Sequence, residues 1–352
     1  MQRRPAPVVR LTIATLLAGV GAALVLLGLL TVLRAVGLGA GGATPDGTAE
    51  PLGAATAPAE PGTSSAPGPT ATAIATATSG SPTPIPAEIV LVGAGDIGRC
   101  DSSHDDDTAA LVEQRPGIVF TLGDNAYEHG SADDFRDCFG SSWGRVGDRI
   151  EVPVPGNHEY DTRDAAGYTG YFGDRAVRDG ATWYSQDIGY WHVVVLDSTC
   201  DRVPGGCGPD SPQLTWLRAD LAASEARCTL ALFHHPRFSS GEHGSDDNVA
   251  PFWDALYEAG ADLVLNGHDH DYERFAPQDP AGNADDERGI VQLVVGTGGA
   301  ELREFKDPVA NSRVRSSFAH GVIELGLNQN GWRWQFYPTD HSFVDAGAGS
   351  CH

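Results

Sequence analysis

Gly267–Arg274 reads Gly-His-Asp-His-Asp-Tyr-Glu-Arg. Two histidines one residue apart, His268 and His270, share one side of an extended segment and so point at a common object. Just before them, residues 261–266 (ADLVLN) form a short apolar run that reads as a buried strand. The pair therefore emerges where a strand ends and a loop begins, which is where α/β proteins build their sites.

The same arrangement recurs along the chain. Apolar runs at 88–93 (EIVLVG), 117–122 (GIVFTL), 151–154 and 229–233 read as strands, and the loops after them open on Asp96, Asp124, Asn157 and His234. One such strand end is commonplace. Five in one chain, all supplying oxygen or nitrogen donors, imply metal and suit two ions. A dinucleotide fingerprint is also spelled by Gly93, Gly95 and Gly98, but it requires a helix to open at once so that its N-terminus can hold a pyrophosphate. The first helical pattern begins only near Asp105.

Composition divides the chain of 352 residues into three expected parts. Residues 1–34 carry Arg3, Arg4 and Arg10 ahead of an uncharged run, Leu11–Leu33. As a helix that run would measure about 35 Å, enough to cross a hydrocarbon core of about 30 Å. The arginine asymmetry predicts a single-pass cell-membrane protein whose remaining chain lies outside the cytoplasm, or a secreted one if the segment is cleaved. Residues 35–86 are mostly Ala, Gly, Pro, Ser and Thr, a composition expected to stay disordered as a linker. Residues 87–352 are long enough to bury a substantial core as one domain.

That last part holds 19 basic against 44 acidic side chains, a formal charge of −25. Nucleic acid is excluded as an expected partner, since its backbone calls for a basic surface. An anionic substrate must then be drawn by something local. All six cysteines lie here too. An even count beyond an export signal reads as disulfides, with 15 pairings open. The expected set is Cys200 with Cys207, Cys100 with Cys138, and Cys228 with Cys351. A thiolate metal site is the competing reading, although no C-x-x-C spacing supports it.

Five blocks, Asp96-Ile97-Gly98, Gly123-Asp124-Asn125-Ala126-Tyr127, Gly156-Asn157-His158-Glu159, Ala231-Leu232-Phe233-His234 and Gly267-His268-Asp269-His270, together resemble the calcineurin-like metallophosphoesterases and, among them, the purple acid phosphatases of exported bacterial type. The one departure is Ala231, where the family has valine. The resemblance implies an α/β fold, a four-layer αββα sandwich of two mixed sheets, here preceded by the transmembrane helix and the linker. It implies one metal ion on Asp96, Asp124, Tyr127 and His270 and another on Asp124, Asn157, His234 and His268, with Asp124 bridging.

A tyrosinate donor favours Fe(III) beside a divalent ion (Zn, Fe or Mn), because the trivalent charge leaves the site net positive toward a phosphate dianion. The nucleophile implied is a metal-bound hydroxide, attacking phosphate monoesters in line. His158 and His243 are implied as catalytic residues that contact the phosphate or protonate the leaving group. His235, beside a ligand on a strand end, admits a structural role equally. Glu159, Asp271, Glu273 and Arg274 are expected to fix ligand orientation. Leaving-group pockets are expected in loops such as Asp201–Gly208 and Gly241–Asp247. A phosphodiesterase or nucleotidase on the same metals, and a tethered binding module on a degenerate site, are the alternative readings.

Overall fold

The computed structural model describes residues 87–352. Its strands, in chain order, are β1 (Ile89–Ala94), β2 (Ile118–Thr121), β3 (Ile150–Val152), β4 (Tyr184–Ile188), β5 (Trp191–Val195), β6 (Cys228–Leu232), β7 (Leu263–Asn266), β8 (Tyr272–Phe275), β9 (Val291–Val295), β10 (Ser312–Ser316), β11 (Gly321–Asn328), β12 (Gly331–Pro338) and β13 (Ala346–Ser350). They form one sheet in the order β13-β12-β11-β1-β2-β3 and a second in the order β10-β8-β9-β7-β6-β5-β4. Both are mixed. The β1, β2 and β3 strands run parallel while β11 joins β1 antiparallel; β5, β6, β7 and β9 run parallel between antiparallel edges.

Strand periodicity places the layers. Val193, Val195, Leu230, Leu232, Leu263 and Leu265 point between the sheets, into a core shared with Leu91, Phe120 and Leu325. Their alternates Val194, Ala231 and Val264 point the other way, under Leu214 and Leu217 of helix Pro212–Ala223 and Phe252, Trp253 and Leu256 of helix Ala250–Glu258. Ala109 and Val112 of helix His104–Glu113 pack in the same core as the first sheet. Each fully buried aliphatic side chain contributes about 1.5–3 kcal/mol. The result is a sandwich of two mixed sheets flanked by helices.

The three disulfides are Cys100–Cys138, Cys200–Cys207 and Cys228–Cys351. Cys228 and Cys351 also lie near Asp262 in a donor-like group, but their sulfurs are bonded to each other, so no thiolate is free for a metal.

One expectation is corrected. Among the described residues no helix is long and apolar enough to cross a membrane. The longest α-helix among the described residues, Pro212–Ala223, has 12 residues, about 18 Å of the roughly 30 Å required. Among the described residues the fold is therefore the sandwich without a transmembrane helix, and nothing in them supports the single-pass placement or the membrane as partner. The stretch Leu11–Leu33 and the linker lie outside the described residues.

Candidate metal centre

The donors converge because both sheets end at the same place. The loop after β1 lies against the loop after β2, with the amides of Asp96, Ile97 and Gly98 donating to the carbonyls of Gly123, Asp124 and Asn125 at 2.9–3.0 Å. Gly95 N donates to Val295 O at 2.9 Å, which ties the first sheet's loop to the end of β9 in the second. Asp96, Asp124 and His268 adopt left-handed backbone, with φ of 60°, 47° and 73°. Such a conformation costs an L-residue about 1–2 kcal/mol, and here it turns each side chain inward directly after its strand. The glycines ahead of the donors leave room: a Cβ on Gly156 would lie 2.3 Å from Asp124 Oδ1, and one on Gly123 would lie 2.5 Å from His234 Nδ1.

Around the Tyr127 hydroxyl, Asp96 Oδ1 lies at 3.0 Å, His270 Nε2 at 3.0 Å and Asp124 Oδ2 at 3.3 Å. On the other side of Asp124, His234 Nε2 is 3.2 Å from Oδ2 and His268 Nδ1 is 3.3 Å from His234 Nε2. Donor atoms of Asp124, His234 and His268 all lie within 4.8 Å of one another. His234 Nδ1 donates to Leu122 O at 2.7 Å and His270 Nδ1 to Glu301 O at 2.8 Å. Both rings thereby turn Nε2 toward the cluster. Asn157 Oδ1 is buried without a hydrogen-bond partner.

The cluster is thus rich in acceptors and poor in protons. Burial raises the Tyr127 phenol well above its ordinary 10.0, and the neighbouring Asp96 and Asp124 carboxylates raise it further. Only a multiply charged cation among these groups would draw that proton off. Burial alone would raise Asp124 and lower His234, but their mutual attraction wins, holding the carboxylate far below its usual range and lifting the imidazole to about 10. Burial and the neighbouring histidines hold His268 well below 6.5, so it is a neutral ring with a lone pair to give.

Glu159 holds the loops rather than the centre. Fully buried, it accepts the amides of Asp124 at 3.0 Å, Asn125 at 2.8 Å, Ala126 at 3.4 Å and Gly156 at 2.7 Å. One carboxylate clamps two of the five loops. Glu273 does the same for Ser240 and Ser312, and Asp271 is buried with neither oxygen partnered. Arg274 departs from expectation. It pairs with Asp345 at 2.7 Å, away from the cluster.

His158 Nδ1 donates to Glu128 O at 2.5 Å, and its Nε2 is 3.8 Å from Asp124 Oδ2. His243 stacks on His268 with ring centres 4.3 Å apart, its amide held by Asp269 Oδ1 at 2.7 Å. The sequence reading missed Arg303, whose guanidinium meets His243 Nε2 and lies 3.4 Å from Glu242. It stands in an irregular segment with no periodicity to flag it. Also unforeseen is Ser198, which accepts the His235 amide and faces His235 Nδ1, both at 2.9 Å.

The profile of the calcineurin-like phosphoesterases matches residues 89–272, half of the chain. The chain belongs to this family. Several of the relatives it matches are purple acid phosphatases. Over 169 residues the chain is 30% identical to purple acid phosphatase 18 of Arabidopsis thaliana, covering 45% of this chain and 37% of that protein. Over 328 residues it is 26% identical to purple acid phosphatase 15 of the same plant, covering 72% and 60%. The chain thus spans little more than a third of the first of these relatives.

Among solved structures, a purple acid phosphatase from yellow lupin seeds superposes with a TM-score of 0.63 at 20% identity, over 77% of this chain and 55% of that one. GAP50, the anchor in the inner membrane complex of Plasmodium, superposes with a TM-score of 0.59 at 15% identity, over 76% and 89%. These two likenesses speak for the fold.

Proposed function

We propose that the protein is a metal-dependent phosphoesterase that hydrolyses phosphate monoesters at a two-metal centre. The observation that carries this reading is the acceptor-rich cluster itself, three acceptors within 3.3 Å of one phenolic oxygen and an orphaned Asn157 Oδ1 at the strand ends. In this reading Asp96, Asp124, Tyr127 and His270 hold one ion and Asp124, Asn157, His234 and His268 the other. Asp124 is shared because a carboxylate offers two oxygens. The tyrosine favours Fe(III) at the first position, with Zn, Fe or Mn at the second. When bound, the ions supply positive field for the phosphate and activation of the attacking water.

The chain's own residues do the rest. Glu128 O holds the proton on His158 Nδ1, so Nε2 is the atom that takes up a second proton and, from the imidazolium, passes it to the departing alkoxide. His243, held by Asp269 and flanked by Arg303, presents a polar edge to the phosphate. Glu159 keeps two donor loops in register before any ion arrives. A worn-out binding module would have lost donors, whereas all seven residues are present in the sequence.

The test is hydrolysis by iron- and zinc-loaded protein of an aryl phosphate monoester beside the matching diester. Faster monoester turnover supports the reading, and a preference for the diester would shift it to a phosphodiesterase. No hydrolysis of either by metal-loaded, folded protein would overturn it.

A further inference from the structure

Next to the cluster lies a cavity of about 340 Å³, lined by Asn157, Ser198, Thr199, Cys200, Asp201, His235, Asp246 and Asn248. His235, which lines the cavity, has its ring centre 4.3 Å from that of His268 in the cluster, so the space adjoins the centre. Thr199, 3% exposed, contributes a hydroxyl without a hydrogen-bond partner. The Cys200–Cys207 disulfide fixes one wall. Ser198 has no acceptor other than His235 Nδ1, so its proton goes there, and the ring's own proton sits on Nε2.

The charge of the lining is one-sided. No lysine or arginine lines it. Asp201 meets only Arg202, at 3.1 Å in a pair more than half exposed on both sides, which is worth little. Asp246 makes no ion pair; its carboxylate caps the amide of Asn248 at 2.8 Å. The cationic side chains Arg303 and Lys306 are engaged elsewhere, on His243 and Glu242. A volume of this size holds roughly ten waters at about 30 Å³ each, enough for an alcohol of a few heavy atoms.

We propose that this cavity receives the leaving alcohol, and that its carboxylates select phosphate monoesters of small amino alcohols while refusing alcohols that carry a second anionic group. The inference rests on the phosphatase reading above for the identity of the centre. An ammonium group placed here meets Asp246 and Asp201 and leaves the metals to the phosphate. A second phosphate or carboxylate meets two carboxylates in a domain already strongly negative, with no cation to receive it.

Metal-loaded enzyme is given O-phosphoethanolamine, glycerol 1-phosphate and 2-phosphoglycolate, with an aryl phosphate as control. The expected kcat/KM order is amine, then neutral diol, then acid, with about tenfold between the extremes. In Asp201→Asn/Asp246→Asn enzyme the ratio of amine to acid falls toward one. Independently of turnover, calorimetry on the loaded protein should show 2-aminoethylphosphonate binding about tenfold tighter than phosphonoacetate. Aryl phosphate hydrolysed with a flat or reversed order overturns the subsite and leaves the phosphatase reading standing. If no ester is hydrolysed that reading fails, and the phosphonate pair still decides the subsite: equal affinities overturn it.

Discussion

Two buried polar clusters at the two ends of the Gly267–Arg274 segment show what separates a site from a strut. At its start, the cluster around Asp124 offers the carboxylates of Asp96 and Asp124, the Nε2 atoms of His234 and His270, and an Asn157 oxygen, with only the Tyr127 phenol and the His234 imidazole holding protons strongly among them. At its end, Asp345 receives Tyr272 OH at 2.7 Å, Arg274 Nε at 2.7 Å and Nη2 at 3.1 Å, and Trp334 Nε1 at 3.2 Å. The second cluster matches each acceptor to a donor from the protein. The first is left short of positive charge, and burial makes that shortage expensive until a cation supplies it. Completeness of hydrogen bonding, more than polarity or burial, distinguishes the two.

The difference is broken most severely by removing an acceptor from the incomplete cluster. Asn157→Ala and His234→Ala should each lower kcat of the metal-loaded protein by well over a hundredfold, since loss of a mere outer partner already costs about 10–100-fold. Melting temperature of the metal-free protein should stay near wild type, because both residues sit on loops beyond the strands. Metal content and turnover, measured on protein shown folded by circular dichroism, check this. Wild-type turnover in either variant would remove it from the ligand set.

Tyr127 sharpens the comparison, since it is the one phenol in the cluster and burial holds its proton until a cation displaces it. Iron-reconstituted protein should absorb in the visible through phenolate charge transfer, and Tyr127→Phe should lose that band while Asp96, Asp124 and His270 retain part of the iron. Absorbance and iron content measured together decide it. A band that survives in the Phe variant means that Tyr127 does not bind iron.

These donors were legible in the sequence for a physical reason. They stand in the loops just beyond largely buried strands, where the apolar run is unmistakable and the polar residues turn toward the shared end. Arg303 and Ser198 were not legible, because their places come from how irregular segments fold over the strand ends. β13 was missed for a different cause. Its sequence Ala-Gly-Ala-Gly-Ser has no apolar alternation, and the structure shows why small residues are needed: a Cβ on Gly347 or Gly349 would lie 2.4 or 2.3 Å from the rings of Trp334 or Trp332.

A smaller effect is expected from the clamp that serves the first cluster without belonging to it. Glu159→Gln replaces one carboxylate oxygen with an amide that donates, facing backbone N–H groups that also donate. Metal affinity should fall about 10–100-fold, with kcat at saturating metal changed less. A metal titration that overlays wild type would show the clamp to be dispensable.

The smallest effect belongs to the complete cluster, and there pH carries the information. Burial would raise the Asp345 carboxyl, but the hydrogen bonds from Arg274 and Tyr272 outweigh it and hold the group below its ordinary 3.8. A carboxylate whose folded pKa lies below its unfolded value contributes stability that is full above the unfolded pKa and is lost as pH falls through the folded one. Asp345→Asn should therefore cost about 1–3 kcal/mol at pH 7, the range for a charged hydrogen-bond partner removed from buried donors. That cost should shrink once the pH is well under 3.8, where the wild-type carboxyl is itself protonated. Urea unfolding of both proteins across this range measures the gap directly. If the gap stays constant into acid, Asp345 is held by packing rather than by charge, and the contrast with the Asp124 cluster loses its basis.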